Sequence, residues 1–389
     1  MSITSIDKEY VAGTYGRFPV ELVSGKGSIL TGTDGKQYID MGSGIGVTSF
    51  GIADDAWVKA VTDQLTKLQH TSNLYYTEPC ALLARALCEK TGMKKVFFFS
   101  NSGAEANECA IKVARKYSAQ KKGEGCYTIV TLVNSFHGRT LTTLAATGQD
   151  KFHADFLPLT PGFAYVAADD IEGLKKTVAA VNAAGIMLEC VQGEGGVLPL
   201  SREFILAAAQ LAKEQDIPLI IDEVQTGNGR TGKLYAYMHY GIEPDIVSTA
   251  KGLGGGLPIG ATLMSEKVQN ILGPGDHGST YGGNPVSCAG ALSVVGRLDD
   301  AFLAEVRAKS DYVFSALSQT PGVESVKGLG LMIGIKTKKE AKDVVNACLE
   351  QGVLCLTAKD KVRLLPALNI PMDVLKRAVE IIKAACVEE

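Results

Sequence analysis

The stretch IPLIIDEVQTGNGRTGKLYAYMHYGIEPDIVSTAKGLGGG, residues 217–256, decides how this chain of 389 residues is read. Ile217 to Ile221 is a short aliphatic run that stops at Asp222 and Glu223, the pattern of a strand buried on both faces with charge at its carboxyl end. Ligands of open α/β sheets bind at such strand ends. A second run, Asp245 to Ala250, reads as another buried strand and delivers Lys251 into a glycine run, Gly252 and Gly254 to Gly256. The expectation is a lysine on flexible, uncrowded backbone facing a buried acid.

Taken singly, an Asp there is more often a helix cap and a Lys more often a surface residue. Together they suit pyridoxal phosphate, which needs a lysine amine for its Schiff base and an acid that keeps its ring nitrogen protonated.

Working outward, the same alternation continues on the amino-terminal side. Lys95 to Phe99 reads as a strand, Asn101-Ser102-Gly103 as a turn, and the helix it opens shows an apolar face of Ala106, Cys109, Ala110, Val113, Ala114 and Tyr117. Free N–H groups at that helix start, with the Ser102 hydroxyl, form a candidate phosphate cradle, although plain capping explains an Asn-Ser-Gly turn equally well. Tyr127 to Val133 reads as a strand ending in NSFHGRT. There Arg139 can present a guanidinium fork to a carboxylate or serve as a surface ion pair, and Phe136 and His137 can be core residues. A helix over 170–183, a strand over 186–191 and the loop Gln192 to Gly196 follow, with Glu194 projecting from backbone that can approach a ligand closely. A helix over 203–215 leads back to the opening stretch. Alternating helix and buried strand from about 53 to 270 predicts a doubly wound, mostly parallel α/β sheet.

The flanks read differently. Turn signals at Gly25, Gly27 and Asp34-Gly35 predict a hairpin behind an N-terminal arm, and helical spacing recurs over 53–68 and 78–90. From about 321 the order strand (323–335, broken by glycines), helix (338–349), strand (353–356), strand (362–365), helix (373–385) predicts a small α+β domain. The boundaries follow: 1–48 as arm and part of the small domain, 49–285 as the large domain, 286–389 as linking helix and C-terminal small domain.

Composition excludes several classes. A net charge of −3 gives no footprint for nucleic acid, and the five histidines lack metal-ligand spacing, so no metal is expected. Nine scattered cysteines without a C-x-x-C pair read as reduced thiols. The polar opening MSITSIDKEYVAG is unlike a secretion signal and no apolar run reaches membrane-spanning length, so a soluble cytoplasmic protein is expected.

NSGAEAN, FHGRT, QGEGG, DEVQTGNGRTG, TAKGLGGG and HGSTYGGNP stand in order in one chain, flanked by YGRFPV at 15–20 and VRLLPALN at 362–369. The set resembles the class III (subgroup II) aminotransferases over nearly the whole chain. The resemblance implies the fold-type I architecture of pyridoxal-phosphate-dependent transferases and a homodimer with shared active sites. It implies that Ser102, Gly103 and Ala104 hold the phosphate, that Phe136 stacks on the ring, that Asp222 pairs with its nitrogen beside Glu223 and Val224, that Gln225 meets its 3′-hydroxyl, that Lys251 is the Schiff-base lysine, and that Thr280 reaches the partner's cofactor. For substrate it implies Arg139 and Arg363 as carboxylate ligands, Glu194 as a switch that neutralises Arg363, Ser279 as a contact across the dimer, Tyr15 at the pocket mouth and Glu189 as a supporting acid. The substrates it implies are 2-oxoglutarate or glutamate and an ω-amino donor such as N2-acetylornithine, with succinylornithine, N-succinyldiaminopimelate, ornithine or 4-aminobutyrate as alternatives; a catalytically inactive regulator that binds the cofactor is the reading from another class. Cys190, where the family usually has proline, and Arg17 beside Tyr15 depart from or add to the pattern.

Overall fold

The computed structural model describes residues 2–387, apart from the side chains of residues 99 and 100. Its centre is a seven-stranded sheet: β1 (Lys95–Ser100), β2 (Ile129–Leu132), β3 (Phe163–Val166), β4 (Gly185–Leu188), β5 (Leu219–Asp222), β6 (Ile246–Thr249) and β7 (Gly260–Met264), ordered β1-β7-β6-β5-β4-β2-β3. β2 through β6 run parallel, while β7 is antiparallel to both β6 and β1. β2, β4, β5, β6 and β7 are buried at every position, which is why their sequences are unbroken apolar or small-residue runs instead of alternating ones.

Side chains alternate between the two faces of this sheet. Ile129, Met187, Ile220 and Ile246 pack with the apolar stripe Cys109, Ala110, Val113, Ala114 and Tyr117 of the helix Gly103–Lys122. Leu219, Ile221, Leu188 and Val247 face the opposite layer, where Leu174 of Ile171–Ala180 and Phe204 and Ala208 of Arg202–Glu214 cover them. The strand period of two therefore fixes which way Asp222 and Glu223 point. Asp222 shares the Ile220 face, and Glu223 shares the face of Leu219 and Ile221.

Both ends of the chain build the remaining sheets. Strands Leu22–Lys26, Ile29–Gly32 and Gln37–Asp40 form an antiparallel meander, and Val353–Leu354 joins it parallel to the last of these. Strands Val323–Leu329, Met332–Thr337, Lys361–Leu364 and Leu356–Ala358 form, in that order, a four-stranded antiparallel sheet. The run expected as one strand over 323–335 is thus a hairpin, because Gly330 turns the chain at φ +59°. The arm opens with a helix, Ile3–Tyr10, which was not among the expected elements although Ile3, Ile6 and Tyr10 have helical spacing. Arg230, fully buried, ties this layer to the large sheet by donating to the carbonyls of Leu331 (3.2 Å) and Pro366 (2.6 Å). Among the described residues no helix is long and apolar enough to cross a membrane.

Candidate active site

Loops leaving the carboxyl ends of β1, β2, β5 and β6 converge on a cavity of about 440 Å³, lined among others by Ser102, Phe136, Arg139, Asp222 and Lys251. Two glycines let them meet. A Cβ on Gly260 would stand 2.4 Å from the Ser102 carbonyl oxygen, so β7 can pass the helix start only as glycine. Gly138, at φ +145°, lies where a Cβ would strike Thr143 Oγ1 at 2.4 Å and Ala104 Cβ at 2.7 Å, which joins the second loop to the first.

The helix start is capped by its own residues. Ser102 accepts from the Glu105 amide (3.3 Å) and donates to Glu105 Oε2 (2.8 Å), and the Asn101 amide donates to the same carboxylate. Gly103 and Ala104, the first helical residues, line the cavity, and amides at such a helix start have no intrahelical partner. That end of the cavity can receive an anion, with the positive pole of a 20-residue helix behind it.

Opposite stands the buried acid. Asp222 Oδ2 accepts from Asn107 Nδ2 (2.7 Å) and from His137 Nδ1 (2.8 Å), and Oδ1 accepts from the Val224 amide (3.0 Å). Asn107 also donates to the His137 carbonyl (2.8 Å), so helix and loop hold the carboxylate from two sides. Behind them Glu189 accepts from the amides of Phe136 (3.0 Å) and Gly193 (3.3 Å), and burial raises its pKa to about 7.

Lys251 follows β6 at φ +45°, in the left-handed region that costs a non-glycine residue on the order of 1 kcal/mol or more. The surroundings hold it there: Asn228 Nδ2 donates to the Ala250 carbonyl (3.1 Å) and Thr249 Oγ1 (2.9 Å), and Ser49 Oγ donates to the Gly252 carbonyl (3.3 Å). The glycine run therefore supplies a fixed turn, Lys251–Leu253, where the sequence suggested flexibility. Burial, aided by the positive charge of Arg363, pushes the Lys251 pKa down; Glu194, Asp222 and Glu189 pull it up without restoring it.

A third group lies beside the lysine. Arg363 Nη1 donates to Glu194 Oε1 and, at 3.2 Å, to Gln225 Oε1, while Gln225 Nε2 donates to Glu194 Oε1 at 3.3 Å. Burial works against the charge on Glu194, but Arg363, Lys251 and the Gln225 hydrogen bond outweigh it and hold its carboxyl below the ordinary range.

Ser102, Gly103, Ala104, Phe136, Arg139, Asp222, Val224 and Lys251 thus share one cavity, with Gln225, Glu194 and Arg363 joined at its side. Four expected residues stand elsewhere. Glu223 points to the opposite face of β5 and binds Thr226 Oγ1 (2.6 Å) and the Tyr237 amide (2.9 Å). Tyr15 is 74% exposed under Arg17. Ser279 and exposed Thr280 lie on a loop tied by the Ser279 and Gly282 carbonyls to Asn73.

Residues 10–386 match the family described as Aminotransferase class-III. The chain belongs to that family. Among the relatives of this class-III aminotransferase, acetylornithine aminotransferase of Haemophilus ducreyi is 53% identical over 98% of the chain and 97% of its own length. Acetylornithine aminotransferase of Methanocaldococcus jannaschii is 45% identical over 95% and 94%. N-acetylornithine aminotransferase of Stenotrophomonas maltophilia superposes with a TM-score of 0.85 at 33% identity, over 98% of each chain. Ornithine aminotransferase of Toxoplasma gondii superposes with a TM-score of 0.94 at 29% identity, over 99% of this chain and 93% of its own.

Two residues of the class-III site were not singled out by the sequence reading. His137 reads as core, and it is buried, yet its ring serves Asp222. Asn107 was available as a signal: it lies next to Ala106 and one turn from Ala110 and Ile111, a polar residue in an otherwise apolar helix face, and such a residue needs a partner.

Proposed function

We propose that the chain binds pyridoxal 5′-phosphate and transfers the terminal amino group of N2-acetylornithine to 2-oxoglutarate, giving N-acetylglutamate 5-semialdehyde and glutamate, a reaction of arginine biosynthesis. The observation that carries the cofactor is Lys251 in the same cavity as a buried carboxylate, Asp222, that accepts three hydrogen bonds. The donor set fits the group: helix-start amides and a hydroxyl suit a phosphate, a buried carboxylate suits a protonated ring nitrogen, and Phe136 offers an aromatic face. The acetylated donor is supported by relatives of that name at 45–53% identity over nearly the whole chain.

Bound there, pyridoxal phosphate supplies an electron sink that acidifies the C–H beside the donor amine. Asp222, ordered by Asn107 and His137, holds the proton on the ring nitrogen. Lys251 Nζ, its pKa lowered by burial, is suited to take the proton from that carbon. Arg139 receives the carboxylate of the donor. Arg363 stays neutralised by Glu194 while the donor is bound and is released for the dicarboxylate, which lets one cavity serve two shapes of substrate.

Half-buried Ser279 and exposed Thr280 and Tyr15 have a role if they complete the site of a second subunit, so the working unit is read as a homodimer with two shared sites. The large domain is taken as 49–285, with 1–48 and 286–389 in the small one. Nine free thiols suit a reducing cytoplasm.

Lys251→Ala is expected to remove the visible absorbance band of the reconstituted protein and turnover together; turnover surviving in that variant would sink the reading. For the donor, kcat/KM for N2-acetylornithine is expected to exceed those for succinylornithine, ornithine and 4-aminobutyrate. A wide margin for ornithine overturns the acetylated donor.

A further inference from the structure

Beside the cavity stand three cations, Arg139, Lys151 and Lys359, that make no ion pair among the described residues. Arg139, which lines the cavity, has its Cζ 4.1 Å from the Phe152 ring centroid, and Lys151 Nζ lies 4.7 Å from the same centroid. Phe152 meets Phe136 edge-on, with centroids 5.9 Å apart. Among the described residues neither Arg139 nor Lys151 takes part in a hydrogen bond or salt bridge. The aromatic ring holds two cations in place and leaves their charge unneutralised.

A third cation adjoins them. Lys359, at φ +53°, donates to Asn134 Oδ1, and Asn134 is itself at φ +69°. Asn134 heads the loop that carries Phe136 and Arg139, and its carbonyl abuts Gly195 of the Glu194 loop. Two side chains in the left-handed region, bonded to each other, mark a junction that is held in place. Lys359 feels the charge of Lys151, which together with burial lowers its pKa. The acids nearby have other partners: Asp360 pairs with Lys336 at 2.9 Å, and Asp150, its side chain fully exposed, lies 3.9 Å from His153 Nδ1.

We propose that Lys151 and Lys359 form with Arg139 a cationic rim that draws the dicarboxylate 2-oxo acid into the cavity before it reaches Arg363. The inference rests on the reaction read above. An N-acylated diamino acid carries one carboxylate and one ammonium and is neutral overall, whereas a dicarboxylate 2-oxo acid carries two negative charges. The long-range field of the two lysines therefore steers the doubly charged acceptor far more than the neutral donor, whose carboxylate meets Arg139 only on contact. Neither lysine touches reacting atoms; both bind and steer.

The test uses the holoenzyme carrying Lys151→Met with Lys359→Met, and Lys151→Arg as the conservative control. At low ionic strength the double variant is expected to lose about threefold to tenfold in kcat/KM for 2-oxoglutarate through KM, with kcat kept. Lys151→Arg should behave as wild type, kcat/KM for the donor should change less than about twofold, and the difference from wild type should fade at high salt. An equal loss for both substrates, a loss that salt does not erase, or no loss overturns the rim. If the wild type refuses 2-oxoglutarate but accepts another dicarboxylate, the reaction as read fails on that result, and the same series with the accepted dicarboxylate decides the rim. A preference for an uncharged acceptor refutes both.

Discussion

Asp222 and Glu223 are neighbours at the end of β5, both carboxylates and both buried, and they do opposite things. The strand turns Asp222 toward the helix Gly103–Lys122, where Asn107, His137 and the Val224 amide give its charge three donors at the edge of a cavity. Glu223 turns into the opposite layer, where it meets Thr226, the Tyr237 amide and the rings of Tyr235 and Tyr237, and burial outweighs its hydrogen bonds enough to raise its pKa to about 7. One acid faces the cavity with three donors on its oxygens, and the other is enclosed in the opposite layer with its pKa raised. Residue type and burial do not separate them. The face of the strand and the donors waiting there do.

Replacing each acid sharpens that contrast. Asp222→Ala removes the counter-charge for a ring nitrogen, and kcat is expected to fall by about 10²- to 10⁴-fold, with KM changed far less. A kcat within a factor of two of wild type breaks the assignment. Glu223→Gln is expected to leave kcat near wild type and to act on stability. The folded-state pKa of Glu223 is raised above the ordinary 4.5 to about 7, so folding favours its protonated form. The stability this contributes is complete below about pH 4.5 and is lost as pH rises through about 7, on the order of 3 kcal/mol in all. Gln, always neutral, removes that slope. Denaturant midpoints of the variant and wild type should agree near pH 5 and separate by pH 8 in favour of the variant; parallel pH profiles contradict the role given to Glu223.

The same contrast explains what the sequence could announce. Asp222 and Lys251 were legible because buried parallel strands are continuous apolar runs and the first charge after each marks the ligand edge. The stripe Ala106 to Tyr117 was legible because a helix on a sheet needs one apolar face, and that face packs as read. Short or hidden elements were not. β3, four residues at the sheet edge, carries too little pattern, and β7 was passed over because no local signal tells an antiparallel strand inserted between β1 and β6 from a plain connection. His137 was illegible for a physical reason: a histidine beside Phe136 at a strand end reads as core, and its partner lies 85 positions away. The trio of Glu194, Gln225 and Arg363 spans up to 169 positions, and its ends were linked by resemblance alone.

That trio is where the distinction between a held charge and a marginal one can be tested most finely. Arg363, with Lys251 and the Gln225 hydrogen bond behind it, holds the Glu194 carboxyl below the ordinary range, and in the function proposed above Arg363 leaves it when a dicarboxylate binds. Glu194→Gln keeps the shape of the side chain, can still accept from Arg363, and removes the charge. A neutral hydrogen bond competes less with an incoming carboxylate than an ion pair does, by about 1 kcal/mol at a partly buried site. KM for 2-oxoglutarate is therefore expected to fall about threefold to tenfold, and KM for the donor to rise as Arg363 remains charged beside a substrate that does not use it. Asp222 is untouched, so kcat should hold within about threefold. If both KM values move together, Glu194 shapes the cavity and does not switch it. Opposite movements identify an acid whose purpose is to be displaced, a third behaviour beside the two carboxylates that end β5.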